Sequence, residues 1–379
     1  MKLALECYED YGDLLEGKRV ALVTNNSSYT SAFVHSADYL RRRCNLTCLF
    51  GPEHGIRGEG KAGDAVANGI DPYTGIPTYS LYRRDGQGMT PEMLSQFDIL
   101  VFDIQDLGLR FYTYLATLGN LVRDCAENGK PLVVLDRPNP LSLSVVEGNI
   151  LDKDSLSFVG PAEIPIRYGK TIAEMALLFN DSLKRKCDLT IVPLKGYERA
   201  MYFDQTSLPW FATSPAIPQL SSALAYAGFC LLEGTNISEG RGTALPFEIF
   251  GAPFIDGRKL CDEVSGLDLQ GCAFTPLFFT PSSDKFSNVQ CQGLYLHVTD
   301  RKSFRPVATA IEVLHCIFKL YPKEFMFLGQ RPGTKTRPFV RLCGKDSIEK
   351  FMTDHVAWIK QMEQDSRDFK ERLSCYSLY

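Results

Sequence analysis

Two hydrophobic patterns alternate along the first half of the chain. The runs KRVALVTN (18–25), NLTCLF (45–50), DILVFDI (98–104), KPLVVLD (130–136) and DLTIVPL (188–194) are short and nearly all apolar at their centres, as buried strands are. Between them, SAFVHSADYLRRR (31–43), YTYLATLGNLVRDCAEN (112–128) and TIAEMALLFNDSLK (171–184) place apolar residues at helical spacing. Thr171 and Glu174 have the spacing of a capping box, which marks a helix start. Apolar strands separated by helices predict a parallel sheet covered on both faces, hence a Rossmann-like α/β domain. Over 195–215 the alternation lapses into Pro-, Trp- and Ser-rich sequence ending in WFATSPAIPQL. A boundary there divides the chain into 1–205 and 206–379. The second part opens with an apparent helix, SSALAYAGFCLLE, and a glycine-rich loop, GTNISEGRGT. Strand-like CAFTPLFFTP and QGLYLHVTD follow, then helix PVATAIEVLHCIFKLY and a long charged helix from Asp346 to about Leu373. These elements predict a smaller α+β domain.

Composition narrows the function classes. The 379 residues are 45% hydrophobic and 23% charged, with a net charge of −4. Such a chain offers no basic footprint for nucleic acid or an anionic membrane. No apolar run is long enough to span a bilayer. Glu6, Glu9 and Asp10 interrupt the apolar stretch of the N-terminus, so no signal peptide is read there and a soluble, cytoplasmic protein is expected. The twelve cysteines form no C-x-x-C pair and are expected to be reduced, packing as small hydrophobes. Only five histidines exist and none neighbours a cysteine cluster, so no metal site is expected.

Polar residues gather where the strands end. Asn25-Asn26-Ser27 follows the first strand and Glu53-His54-Gly55 the second; Asp103, Gln105 and Asp106 follow the next, with Arg110 and Tyr112 close behind. Asp136, Arg137 and Asn139 follow the fourth. In an open parallel sheet, ligands bind outside the carboxyl ends of the strands, so four segments converge on one edge. Asn25 and Asn26 fit simple turn residues equally well.

The stretch FGPEHGIRGEGKAGD (50–64) holds two near-motifs. Gly58, Gly60 and Gly63 spell G-x-G-x-x-G, yet seven residues separate Phe50 from Gly58, and Gly69, Pro72 and Gly75 break any helix that should follow. Gly55, Gly60 and Lys61 resemble a P-loop, but Ala62 stands where a magnesium-binding hydroxyl belongs. Both patterns are accidents of a glycine-rich loop. What remains is Glu53, held between Pro52 and Gly55. Partial burial raises the pKa of a carboxyl, which suits a general acid. The plainer alternative is an ion pair between Glu53 and an arginine such as Arg57 that only fixes the loop. A second loop, EGTNISEGRGT (233–243), packs Glu233, Asn236, Glu239 and Arg241 among glycines. Two carboxylates facing each other across a cleft is the arrangement of glycoside hydrolysis.

At this point the chain resembles a known family. FGPEHGIRGEG, TGIPTYSLY, DILVFDIQDLGLRFYTYLATL, VVLDRPNPL with VEGNILD, PIRYGKTIAEMA and GFCLLEGTNISEGRGTALPFEIFGAPFI, from about residue 20 to 255, are similar to segments of the NamZ-like exo-β-N-acetylmuramidases. The resemblance implies a Rossmann-like domain joined to a smaller one, with the active site between them. It implies hydrolytic release of N-acetylmuramic acid (MurNAc) from the non-reducing end of peptidoglycan-derived sugar fragments, without a cofactor. Carried onto this sequence, Glu53 is the catalytic acid, with Asp106 or Glu239 as the second catalytic group. His54, Arg57, Gln105, Arg110, Tyr112, Asp136, Arg137, Asn139, Arg167, Asn236 and Arg241 lie in matched segments as substrate-binding candidates. The chain departs from the family in LSLS after DRPNP, in Tyr168 where histidine is common, and in Lys170 where methionine is; these changes are expected at the rim of the site.

The substrate class fits arginine. MurNAc carries a lactyl carboxylate, which the planar guanidinium fork suits, and one or two of Arg57, Arg110, Arg137, Arg167 and Arg241 are expected to meet it. Two other readings stay open. One is a magnesium-dependent phosphoryl transferase with Asp103 and Asp106 as ligands. The other is a muropeptide-binding protein without catalysis.

Overall fold

The computed structural model describes residues 1–60, 63, 67–83, 86–330 and 332–379, with backbone alone at 86 and 87. Lys61 and Ala62, on which the P-loop comparison turned, lie outside the described residues. The first half contains strands β1 (Val20–Val23), β2 (Leu46–Gly51), β3 (Gly69–Ile70), β4 (Pro77–Ser80), β5 (Tyr82–Arg83), β6 (Gly86–Gln87), β7 (Ile99–Phe102), β8 (Leu132–Leu135) and β9 (Leu189–Val192). Among them run helices α1 (Gly12–Leu15), α2 (Ser36–Arg41), α3 (Pro91–Ser95), α4 (Thr113–Asn128) and α5 (Ile172–Ser182).

Seven strands form one sheet in the order β3-β4-β2-β1-β7-β8-β9. Every neighbouring pair is parallel except β3 with β4. Counted along the chain, the six parallel strands therefore run 3-2-1-4-5-6, the doubly wound order, with the reversal between β1 and β7. Burial follows the period of two that a strand imposes. Ala21, Val23, Phe50, Leu100, Phe102, Leu132 and Val134 enter the core on one face. Val20, Leu22, Leu49, Ile99, Val101, Val133 and Leu135 enter the core on the other. A strand buried on both faces has no polar side, which is why its sequence reads as a continuous apolar run.

The second half holds a three-stranded antiparallel sheet, β10 (Ile249–Ala252), β12 (Cys291–Val298) and β11 (Cys272–Phe279), in that spatial order. Around it lie α6 (Leu220–Phe229), α7 (Gly257–Ser265), α8 (Pro306–Leu320), α9 (Pro338–Cys343) and α10 (Ser347–Arg372). Helices α6 and α8 cross closely: a methyl group at Gly228 would lie 1.8 Å from the Pro306 carbonyl oxygen. The expected α/β domain with a smaller α+β partner is what the chain builds.

Several elements differ from the sequence pattern. The helix expected over 31–43 starts only at Ser36, where the His35 ring accepts the Ala37 amide as a cap. The long charged helix is interrupted at Asp354, whose backbone is non-helical (φ −156°, ψ 80°). Its carboxylate accepts the Ala357 amide at 2.9 Å, so it caps a second helical segment in the middle of α10. Strand β10, helix α7, and the β3–β4 and α3 region were not among the elements expected from the sequence. Among the described residues, no helix is long and apolar enough to cross a membrane. All twelve cysteines are free thiols.

Candidate functional site

Loops from both halves enclose a cavity of about 370 Å³. The first half contributes Glu53, His54 and Gly63 after β2, and Phe111, Tyr112 and Thr113 at the entrance to α4. The second half contributes Tyr226 and Cys230 from the α6 region, Glu233, Glu239 and Arg241 from the glycine-rich loop, Asp284 and Lys285 between β11 and β12, and Arg341 of α9. Tyr82 and Phe158, with ring centroids 5.6 Å apart, form an aromatic edge.

Glu53 is 9% exposed. One carboxyl oxygen accepts the Gly63 amide at 2.8 Å and the other accepts the Thr113 hydroxyl at 2.8 Å, so the group is held in one orientation by neutral donors. Among the described residues it pairs with no cation. Arg57 does not reach it; the guanidinium donates two 2.9 Å bonds to Asp71 instead. The loop-fixing ion pair considered for Glu53 therefore exists, but with Asp71 as the acid. Beside Glu53, His54 has φ 74°, a left-handed backbone that costs a non-glycine residue energy and that recurs at functional sites. Its Nδ1 lies 3.1 Å from the Gly60 carbonyl oxygen.

Glu239 is also buried, with its side chain 2% exposed, but its partners are charged. Lys285 Nζ lies 2.9 Å from one carboxylate oxygen and Arg241 Nε 3.4 Å from the other. Arg241 also pairs with Glu233 at 2.7 Å and covers the Phe247 ring at 5.0 Å. Burial pushes the Glu239 carboxyl up from its ordinary range, Lys285 opposes that, Glu233 adds to it and Arg241 opposes it again.

Of the fourteen residues singled out in the sequence, Glu53, His54, Tyr112, Glu239 and Arg241 line the cavity. The structure places the others elsewhere, each with hydrogen-bond partners of its own, though Asp106 Oδ1, Arg110 Nε and Arg167 Nε are buried without one among the described residues. Arg137 holds Asp103 at 2.6 and 2.8 Å. Asp136 accepts the Tyr379 hydroxyl at 2.6 Å and the Ala173 amide at 3.1 Å, and burial pushes it up to about 7. Asn139 donates to the Lys170 carbonyl and accepts the Leu141 amide. Gln105 donates to the carbonyls of Asp106 and Pro138. Asp106 is fully enclosed against the Tyr168 hydroxyl and the Gly108 amide, and burial pushes it up to about 6. Arg110 donates to the carbonyls of Asn149, Ile164 and Leu342, and Arg167 to that of Leu141. Asn236 bonds the Glu324 carbonyl and the Met326 amide.

The departures at Tyr168, Lys170 and 141–144 are not at the rim. Tyr168 is buried on Asp106, Lys170 donates to Ser377 at 2.8 Å, and Leu141 and Leu143 are buried. Nor is Asp103 open to magnesium, since Arg137 occupies both of its oxygens; Asp106 is buried, with Oδ2 held by Tyr168 and Gly108 and Oδ1 accepting no hydrogen bond among the described residues. Asn25 accepts from Ser27 and Ser28, a turn as the plainer reading had it. Thr113, Lys285 and Arg341 went unnoticed in the sequence. Thr113 sits inside a matched segment as the first residue of α4, a detectable cue; Lys285 and Arg341 carry no local pattern.

A doubly wound sheet that opens into a cavity with one buried carboxyl from each half is the layout of a two-domain α/β hydrolase acting on sugars. Comparison with known proteins agrees. Residues 20–221 match the description "Exo-beta-N-acetylmuramidase NamZ, N-terminal" and residues 224–379 its C-terminal counterpart, and the chain belongs to this family. It is 42% identical over 375 residues to the peptidoglycan β-N-acetylmuramidase NamZ of Bacillus subtilis strain 168, covering 98% of this chain and 89% of that protein. Two crystal structures of DUF1343 family proteins from Bacteroides fragilis are similar across 100% of this chain and 98% of theirs. Their TM-scores are 0.90 and 0.78, at 33% and 30% identity.

Proposed function

We propose that this chain is an exo-acting β-N-acetylmuramidase. It hydrolyses the β-1,4 bond that joins a non-reducing terminal MurNAc to the next sugar of a peptidoglycan fragment. The observation that carries the reading is the pair Glu53 and Glu239: two buried carboxyls on one cavity, supplied by different halves of the chain. In this reading residues 1–205 carry the strand-end loops and residues 206–379 close the cavity over them.

Glu53 donates its proton to the glycosidic oxygen as the bond breaks; among the described residues its partners are the neutral Gly63 amide and Thr113 hydroxyl. Glu239 works as an anion, set against the positive charge that an oxocarbenium-like transition state develops on the sugar. The cavity volume falls in the range of roughly 300–1,000 Å³ typical of small-ligand sites. Asp106, the other candidate for the second carboxylate, is less suited, since its Oδ2 is held by Tyr168 and Gly108 and the residue does not line the cavity. The lactyl carboxylate meets Arg241 or Arg341, the arginines on the cavity wall among the described residues. Free thiols throughout the chain suit a reducing compartment, which supports a cytoplasmic location.

The test is incubation of the purified protein with a MurNAc–GlcNAc disaccharide, followed by mass spectrometry. Free MurNAc and GlcNAc are the expected products. Tight binding with no cleavage would turn the chain into the sugar-binding protein of the alternative reading.

A further inference from the structure

Lys285 lies outside every segment in which catalytic residues were sought, yet it reaches the centre of the site. It comes from the turn that joins β11 to β12. Three non-glycine residues around it, Asp284, Phe286 and Asn288, have positive φ (67°, 57° and 60°). Such backbone is costly and persists where surrounding contacts enforce it. The enforcing contacts are visible. Ser282 donates its amide (2.9 Å) and its hydroxyl (2.8 Å) to the Gly242 carbonyl oxygen. Gly242 itself has φ 78°, and a methyl group there would sit 2.6 Å from the Ser283 nitrogen. The turn is thus pressed onto the loop that carries Glu239.

The ammonium at its tip has three donors, and all three are committed. Lys285 Nζ bonds the Leu232 carbonyl at 2.8 Å, the Ile237 carbonyl at 2.9 Å and Glu239 Oε2 at 2.9 Å. An ammonium has no fourth proton to offer a substrate, so Lys285 is not a reader of the lactyl group. We propose that Lys285 is a positioning residue for the reaction: it clamps Glu239 in one orientation and keeps that buried carboxylate ionised while Glu53 exchanges the proton. This rests on the function proposed above and adds to it the means by which the second carboxylate stays charged.

The remaining groups around Glu239 do not replace Lys285. Arg241 faces it at 3.4 Å but is shared with Glu233, which repels Glu239. The Cys230 thiol and Tyr226 phenol nearby are pushed well above their ordinary ranges by burial and remain neutral. A buried carboxylate without a close cation reverts to its protonated form. Removing Lys285 therefore raises the pH at which Glu239 ionises.

The experiment measures kcat/KM against pH on the MurNAc–GlcNAc disaccharide for the wild type, Lys285→Met and Lys285→Arg, with thermal unfolding to check the fold. Lys285→Met is expected to move the acidic limb upward by about one pH unit or more, tenfold in rate for each unit on that limb. Lys285→Arg keeps the charge and is expected to return the limb towards its wild-type position. Where Lys285→Met is too slow or too unstable to profile, Lys285→Ala with added ethylammonium takes its place, and restored activity is the expected result. An unmoved limb in Lys285→Met, or a Lys285→Ala protein that no alkylammonium rescues, overturns the role of Lys285. A wild-type protein that releases no MurNAc overturns the underlying function as well.

Discussion

Glu53 and Glu239 are alike in chemistry and in burial, and opposite in company. The first sits on a glycine-rich turn beyond β2 and meets an amide and a hydroxyl. The second sits on a glycine-rich turn beyond α6 and meets an ammonium and a guanidinium. Neutral donors orient a carboxyl without tying its charge to a partner. A cation pair orients it and also opposes protonation, since the proton would leave the cation buried and unpaired. In the function proposed above, the two carboxyls would be prepared for two tasks by what surrounds them, a pattern used where acid and base work at the same pH.

The comparison can be broken at the Glu239 end first. Glu239→Gln removes the anion, and kcat/KM is expected to fall on the order of 10²–10⁴-fold. The loss is expected to be similar on the disaccharide and on an aryl glycoside of MurNAc, because Glu239 does not protonate the leaving group. A loss confined to the disaccharide would exchange the two roles. A smaller effect is expected at the arginines. Arg241→Met or Arg341→Met should reduce the preference for MurNAc over GlcNAc termini by about tenfold to a hundredfold, the typical worth of a charge-assisted hydrogen bond at about 1.5–3 kcal/mol. Rates on both sugars that fall together in both variants would mean that neither arginine reads the lactyl group. Excess EDTA should leave the rate unchanged; loss on chelation, restored by magnesium, would return attention to Asp103.

Much of the sheet was legible because β1, β7 and β8 are buried on both faces, so their sequences show unbroken apolar runs. The break at Asp354 was not, since a helical charge pattern continues across it and only the cap on Ala357 reveals the stop. The site was legible in part. Glu53 and His54 stand out because a turn between proline and glycine has no structural need for them. The strand ends beyond β7 and β8 looked equally promising and are committed elsewhere: Asp103 to Arg137, Asp136 to Tyr379, Asn139 to Lys170. A polar residue satisfied by a distant partner and one open to a ligand have the same local sequence. Tyr379 lies 243 positions from Asp136, and Lys285 lies 46 from Glu239, beyond any local pattern.

That distinction predicts the smallest effect, one on stability rather than rate. Burial raises the folded-state pKa of Asp136 from 3.8 to about 7, so its contribution to stability is fully present below about 4 and is lost as pH rises through about 7. Asp136→Asn should flatten the fall in Tm over that window while kcat on the disaccharide is preserved. A lost kcat with an unchanged Tm profile would place Asp136 back among the substrate contacts.

The central claim is the division of labour between the two carboxyls, and Glu53→Gln tests it most directly. Glutamine keeps the shape and most hydrogen bonds of Glu53 and cannot donate the proton. The measurement is the ratio of wild-type to Glu53→Gln rates on two substrates, the MurNAc–GlcNAc disaccharide and an activated aryl glycoside of MurNAc, at one pH with the fold checked by thermal unfolding. The account predicts a loss of roughly 10²–10⁴-fold on the disaccharide, whose alcohol leaves poorly, and a much smaller loss on the aryl glycoside, whose phenolate needs little help. A folded Glu53→Gln protein with the wild-type rate on the disaccharide, or with equal losses on both substrates, would contradict it.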